Sequence, residues 1–197
     1  MDKITTFLHL KKVFFNRALR ILLITNALIL IASYMLGPIY ALFVEDIGGN
    51  LLDASFAGGA FALSAGTASL LSGRISDKVK RPELVVVFGY ILIGVGYTLY
   101  IFVNSIWFLL LCQIIIGLGE AVYSPAFDTV YSRHLTENKI GREWGAWESM
   151  NYFSAAAGAI VGGLIAVNFG FDTLFIIMAV LCLFSALYIY KLPKTVL

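Results

Sequence analysis

Along this chain, apolar residues run in uncharged stretches of about twenty or more, separated by short clusters that carry most of the charge. That is the length a helix needs to cross a hydrocarbon core of about 30 Å at 1.5 Å per residue. The pattern recurs six times and predicts spans near 17–43, 52–73, 83–103, 106–132, 142–168 and 172–190. No stretch shows the alternation of a barrel strand, and only a helix satisfies its backbone groups within one segment. The predicted class is therefore an all-α integral membrane protein with six transmembrane helices. The first stretch is longer than a signal-peptide core and has no evident small-residue cleavage site, so it is expected to remain as an anchor.

Composition supports that reading: 60% of the 197 residues are hydrophobic and 13% charged, with a mean hydropathy of +0.88, too apolar for an ordinary soluble domain. Connections are short and hold no Pro-rich or Ser-rich linker, so the expected organisation is a cytoplasmic segment 1–16, a six-helix membrane domain 17–191 and a cytoplasmic tail 192–197. The first segment mixes Phe7, Leu8, Leu10, Phe14 and Phe15 with Lys11 and Lys12, as in an interfacial helix or a plain helix flank.

Charge sets the expected orientation. All 14 lysines and arginines fall before or at the start of span 1, between spans 2 and 3, between spans 4 and 5 or at the start of span 5, or after span 6. The other connections carry Glu45, Asp46, Asp53 and Asp172 and no positive residue, which places both termini in the cytoplasm, for a protein of the cell membrane. The net charge of +2 belongs to these membrane flanks, so no nucleic-acid partner is expected. Cys112 and Cys182 lie inside spans as packing residues, and His9 and His134 stand alone. Without a nucleophile–base pair, metal cluster or nucleotide-binding motif, neither an enzyme nor a cofactor or metal is expected.

Polar residues within the spans fall into stripes. In span 4, Gln113, Gly117, Glu120, Ser124, Asp128 and Tyr131 share one helical face. Span 1 carries Asn26, Ser33, Gly37 and Tyr40, and span 5 carries Glu148, Asn151, Ala155, Gly158 and Gly162. Faces like these are unsuited to lipid, so spans 1, 4 and 5 are expected to line something, with spans 3 and 6 peripheral. The candidate substrate or proton pathway comprises Asn26, Ser33, Tyr40, Gln113, Glu120, Ser124, Glu148 and Asn151. Glu120 stands out because an ionised side chain at mid-membrane costs a few kcal/mol even on lenient scales, and intramembrane acids usually mark a pathway. Tyr34, Tyr123 and Tyr152 are open to cavity, packing or interfacial roles. Gly58, Gly59, Gly66 and Gly73 give span 2 a small face suited to close helix packing. Gly37-Pro38 and Ser124-Pro125 predict helix breaks in spans 1 and 4 at mirror-image depths, as expected of an inverted three-plus-three repeat.

The loop Gly73-Arg74-Ile75-Ser76-Asp77-Lys78-Val79-Lys80-Arg81 resembles the GxLADRxGRR signature between helices 2 and 3 of the major facilitator superfamily. Gly73, Asp77, Lys78 and Arg81 match by identity or type, whereas Lys80 and Pro82 depart from it. The resemblance covers roughly residues 17–191 and implies the N-terminal six-helix half of such a transporter. With the charge pattern, it also implies a conformational latch in which Lys78 or Arg81 reaches Asp128 near the inner end of span 4. Gln113 stands where the family often has the arginine of RxxxG, and Gly158 to Gly163 resembles the GPxxGG antiporter motif without its proline. Gly170 to Phe175 resembles the short outer turn before the sixth helix.

The function so implied is secondary active transport of a small-molecule substrate by alternating access, with proton coupling as an option. The alternative is a non-transporting six-helix assembly partner or sensor. Apart from membrane lipid, the expected partner is a second copy, as a homodimer, or a separate second half, since polar stripes would otherwise be exposed. A truncated sequence, with its tail opening a central linker, would explain the same feature.

Overall fold

The computed structural model describes residues 16–76, 78–193 and 196–197; the expected interfacial helix in the first segment lies outside them. Asn16 accepts a hydrogen bond from the Leu19 amide at 2.8 Å and so caps α1, Arg17–Leu36. A 3-10 turn, Gly37–Ile39, holds Pro38 and leads into the short α2, Tyr40–Asp46. α3 is Leu51–Ser76. α4, Pro82–Tyr100, opens on a proline that the first helical turn tolerates. α5, Ile106–Arg133, is capped by Ser105. A second 3-10 turn, Glu137–Lys139, precedes α6, Ile140–Tyr190. No strand occurs among the described residues.

Five helical stretches among the described residues are long and apolar enough to cross a membrane: Arg17–Asp46, Leu51–Ser76, Pro82–Tyr100, Ile106–Arg133 and Glu137–Tyr190. The last has 54 residues, which run straight would measure about 80 Å, far beyond the hydrocarbon core. It does not run straight. Gly170 has φ 82° and ψ 172°, a backbone state that glycine adopts without strain. It divides α6 into a first arm, residues 140–169, and a second arm, residues 171–190.

Contacts fix the direction of each segment. Gly158 of the first arm meets Ile31 and Tyr34 of α1, and Gly162 meets Met35, so these two run parallel. Tyr90 bonds to Asn26 and Tyr97 to Ser33, which makes α4 parallel to α1. Gly94 faces Cys182 and Leu183, while the Tyr100 ring packs on Phe175, so the second arm is antiparallel to α4. The chain therefore reverses at Gly170. Gly89 against Tyr123 and Gly96 against Ile116 make α5 antiparallel to α4, and α3 runs alongside α5 with Phe61, Ser64 and Ala65 against Gly117. Both ends of α6, the starts of α1 and α4 and the ends of α3 and α5 thus gather at one end of the bundle. Every described lysine and arginine belongs to that basic end.

Two expectations about packing are corrected. Gly58, Gly59, Gly66 and Gly73 have nothing within 4 Å of where a side chain would begin, so within this chain they mediate no close packing. α3 instead meets α5 through a different face, with Gly117 giving the room. Close approach is strongest between α1 and the first arm, where a Cβ on Gly158 would lie 2.7 Å from the Ile31 carbonyl oxygen and one on Gly162 would overlap the Met35 backbone.

The expected break at Pro125 is also absent, because α5 continues through it. Proline has no N–H, so the Ala121 carbonyl one turn earlier loses its helical donor. The buried Ser72 hydroxyl of α3 donates to that carbonyl. Substitute partners of this kind are what allow a proline within a membrane helix.

Ser72→Ala is expected to lower stability by about 1–3 kcal/mol through the orphaned carbonyl, with Ser72→Thr close to wild type; equal melting of all three in detergent, followed by circular dichroism, would contradict the account. Gly162→Val should destabilise by about 1–3 kcal/mol through overpacking, whereas Gly163→Ala, which enters open space, should not.

Candidate functional site

The half of the bundle away from the basic end contains a cavity of about 490 Å³. Four residues of α1 (Leu30, Ser33, Tyr34 and Leu36) form one wall, continued by Gly37 of the 3-10 turn and Tyr40 of α2. Gly58 and Phe61 come from α3, Tyr97 and Tyr100 from α4, Gln113, Ile116 and Glu120 from α5, and Met178 from the second arm. The 3-10 turn brings Tyr40 in, because Pro38 interrupts the ladder and re-aims the chain just before it.

Hydrogen bonds fix much of this wall. Gln113 Nε2 donates to the Tyr40 hydroxyl at 2.7 Å, and the Tyr97 hydroxyl donates to Ser33 Oγ at 2.9 Å. The Tyr34 hydroxyl donates to Asn151 Oδ1 at 3.0 Å, tying the wall to the first arm behind it. Glu120 stands beside Tyr123, whose ring packs edge-on against Tyr90 at 5.0 Å. Among the described lining residues Glu120 is the only carboxyl, and none is lysine, arginine or histidine. Such a wall can take an apolar or aromatic body and meet a positive charge or a proton at one point.

The sequence-predicted pathway divides on this structure. Ser33, Tyr40, Gln113 and Glu120 line the cavity together with Gly37. Asn26 is fully buried below it, accepting from the Tyr90 hydroxyl at 3.3 Å. Ser124 lies about one turn beyond Glu120, outside the lining, and Glu148 is exposed on the first arm. Asn151 acts only through Tyr34. The first arm contributes no lining residue, because its small-residue face is taken up in packing against α1. Conversely, α4, expected to be peripheral, supplies Tyr97 and Tyr100, and the second arm supplies Met178. The available signal was the row of hydroxyl-bearing residues Tyr90, Tyr97 and Tyr100 in an otherwise apolar helix.

At the basic end, Asp77 lies outside the described residues. Lys78 is exposed, and Gly73 has open space around it. Arg81 Nε pairs with Glu83 Oε1 at 2.7 Å, within the start of α4. Asp128 is exposed and makes no ion pair among the described residues. The expected pairing of Arg81 with Asp128 is therefore not present in this conformation; the nearby Glu83 takes that role.

Long apolar helices packed around a cavity with one acid on its wall define a multi-pass integral membrane protein, not a soluble domain. The chain belongs to the Major Facilitator Superfamily, whose sequence profile matches residues 22–196. It is 27% identical over 171 residues to the multidrug resistance protein MdtG of Enterobacter lignolyticus, covering 85% of this chain and 41% of that protein. It is 28% identical over 171 residues to the MdtG proteins of Salmonella schwarzengrund and Serratia proteamaculans, covering 85% of this chain and 42% and 41% of them. The chain thus spans less than half the length of these curated relatives. Family membership points to transport rather than catalysis.

Proposed function

We propose that this chain is one six-helix half of a secondary active transporter, moving a small solute by alternating access with Glu120 as its binding or coupling carboxyl. The reversal at Gly170 supports six spans, since it turns the fifth apolar stretch into two arms of opposite direction. The clustering of basic residues at one end supports a cytoplasmic location for both termini. The inverted repeat rests on the resemblance and on the break at Pro38.

The observation that carries the function is the single carboxyl on the cavity wall with no basic residue to neutralise it. A charge held away from water needs a partner, and here a proton or a cationic group on the solute would serve. Gln113, in place of the family's frequent arginine, is occupied with Tyr40 and brings no charge. The aromatic lining, together with the relatives named for multidrug resistance, supports an amphipathic solute as cargo. Transport also needs a second half, either a second copy or a separate chain, and the open face of α3 at Gly58, Gly59 and Gly66 offers room for it. Asp77, Lys78, Arg81 and Asp128 are proposed to exchange partners as that second half moves.

Glu120→Gln, in proteoliposomes under an imposed proton gradient with a lipophilic cationic dye as cargo, should reduce gradient-driven uptake to background while leaving the thermal melt unchanged. Uptake equal to wild type would remove Glu120 from the mechanism.

A further inference from the structure

The hydrogen bonds that tie the bundle together around the cavity differ in what they leave over. The bridge between Tyr90 and Asn26 is sealed below the cavity, at 0% and 1% exposure, so it leaves nothing for a solute to reach. The bridge between Gln113 and Tyr40 lies on the cavity wall itself. Gln113 spends Nε2 on the Tyr40 hydroxyl, while its Oε1 bonds to no described residue. Among the described residues, the sealed side-chain atoms without a partner are Ser76 Oγ, Trp147 Nε1 and Ser185 Oγ, none of them on this wall. Gln113 Oε1 is therefore unpaired and open to the cavity. The Tyr40 hydroxyl accepts from Gln113 and donates its own proton to no described residue. One acceptor and one donor thus stand side by side.

Gln113 and Glu120 are seven residues apart on the continuous α5, which places them on one face, two turns and about 10 Å apart along the axis. Between them the wall is apolar. Ile116 lies on the same stretch of α5, and Phe61, whose carbonyl sits against Gly117, comes from α3. A solute with a charge alone would leave Tyr40 and Gln113 unanswered, and one with a hydroxyl alone would leave Glu120 unbalanced. An amine joined to a hydroxyl through an aromatic body answers both.

We propose that the cavity recognises its solute at two points, a cationic nitrogen at Glu120 and, about 10 Å away, a hydroxyl that donates to Gln113 Oε1 and accepts from Tyr40. Gln113 and Tyr40 then set specificity among amphipathic amines. The inference rests on the reading of Glu120 as the binding carboxyl.

Isothermal titration calorimetry on the full chain in mild detergent tests it with two probes, para-aminomethylbiphenyl with and without a hydroxyl at the para position of the distal ring. The hydroxylated probe should bind about tenfold more tightly, from two hydrogen bonds worth about threefold each. Tyr40→Phe and Gln113→Leu should each reduce that preference to about threefold, and the double variant should abolish it, with circular dichroism melts confirming that all three fold. Glu120→Gln should weaken both probes about tenfold and keep the preference. Equal affinity of the wild type for the two probes, or a preference that survives in the double variant, would overturn the inference and leave Glu120 as the binding carboxyl. Unchanged affinity of Glu120→Gln for both probes would overturn that reading of Glu120 and the two-point site with it.

Discussion

Lipid offers a peptide N–H or carbonyl nothing to bond to, and the fold is shaped by that requirement before any side chain is considered. Each apolar stretch therefore forms a helix that closes its own ladder. Each departure from the ladder has a local repair. At Pro125 the repair is a hydroxyl from the neighbouring helix, and the helix continues. At Pro38 it is a 3-10 turn, and the chain is re-aimed so that Tyr40 joins the cavity. At Gly170 the ladder is given up altogether and the chain turns back.

Side chains then settle how the helices stand against each other. Gly158 and Gly162 let the first arm lie against the backbone of α1, and α1 in turn presents Ser33, Tyr34 and Tyr40. Tyrosine hydroxyls bridge helices at Asn26, Ser33, Gln113 and Asn151, so polar groups needed to line a cavity also hold its walls together. Against these matched pairs, Glu120 is the lining group whose charge no basic neighbour balances, which makes it the centre of the functional proposal.

Much of this was legible in the sequence. Length and polarity alone marked the apolar stretches, and α1, α3, α4 and α5 begin within one residue of the expected span starts. The turn at Gly170 was readable only through a family resemblance, because a lone glycine in an apolar run has many meanings. Helical periodicity identified a polar face on span 4, but periodicity gives neither depth nor the identity of the opposing helix. It therefore grouped Gln113 and Glu120 with Ser124, which lies outside the lining. Span 3, with few polar residues and no polar stripe, was expected to be peripheral, and so its Tyr97 and Tyr100 were left out of the candidate pathway. Ser72 was invisible for a related reason: its role depends on a proline in a different helix.

The reversal at Gly170 is the point on which the common basic end, the proposed six spans and the proposed half-transporter all rest. Sided labelling of single cysteines tests it most directly, with the buried Cys112 and Cys182 replaced by alanine. In right-side-out vesicles treated with a membrane-impermeant maleimide, Asp172→Cys, just past Gly170, should be labelled from outside. Asn138→Cys, in the turn before α6, and Leu192→Cys, just past the second arm, should both be labelled only after permeabilisation. Labelling of Leu192→Cys or Asn138→Cys from the same side as Asp172→Cys would contradict the account.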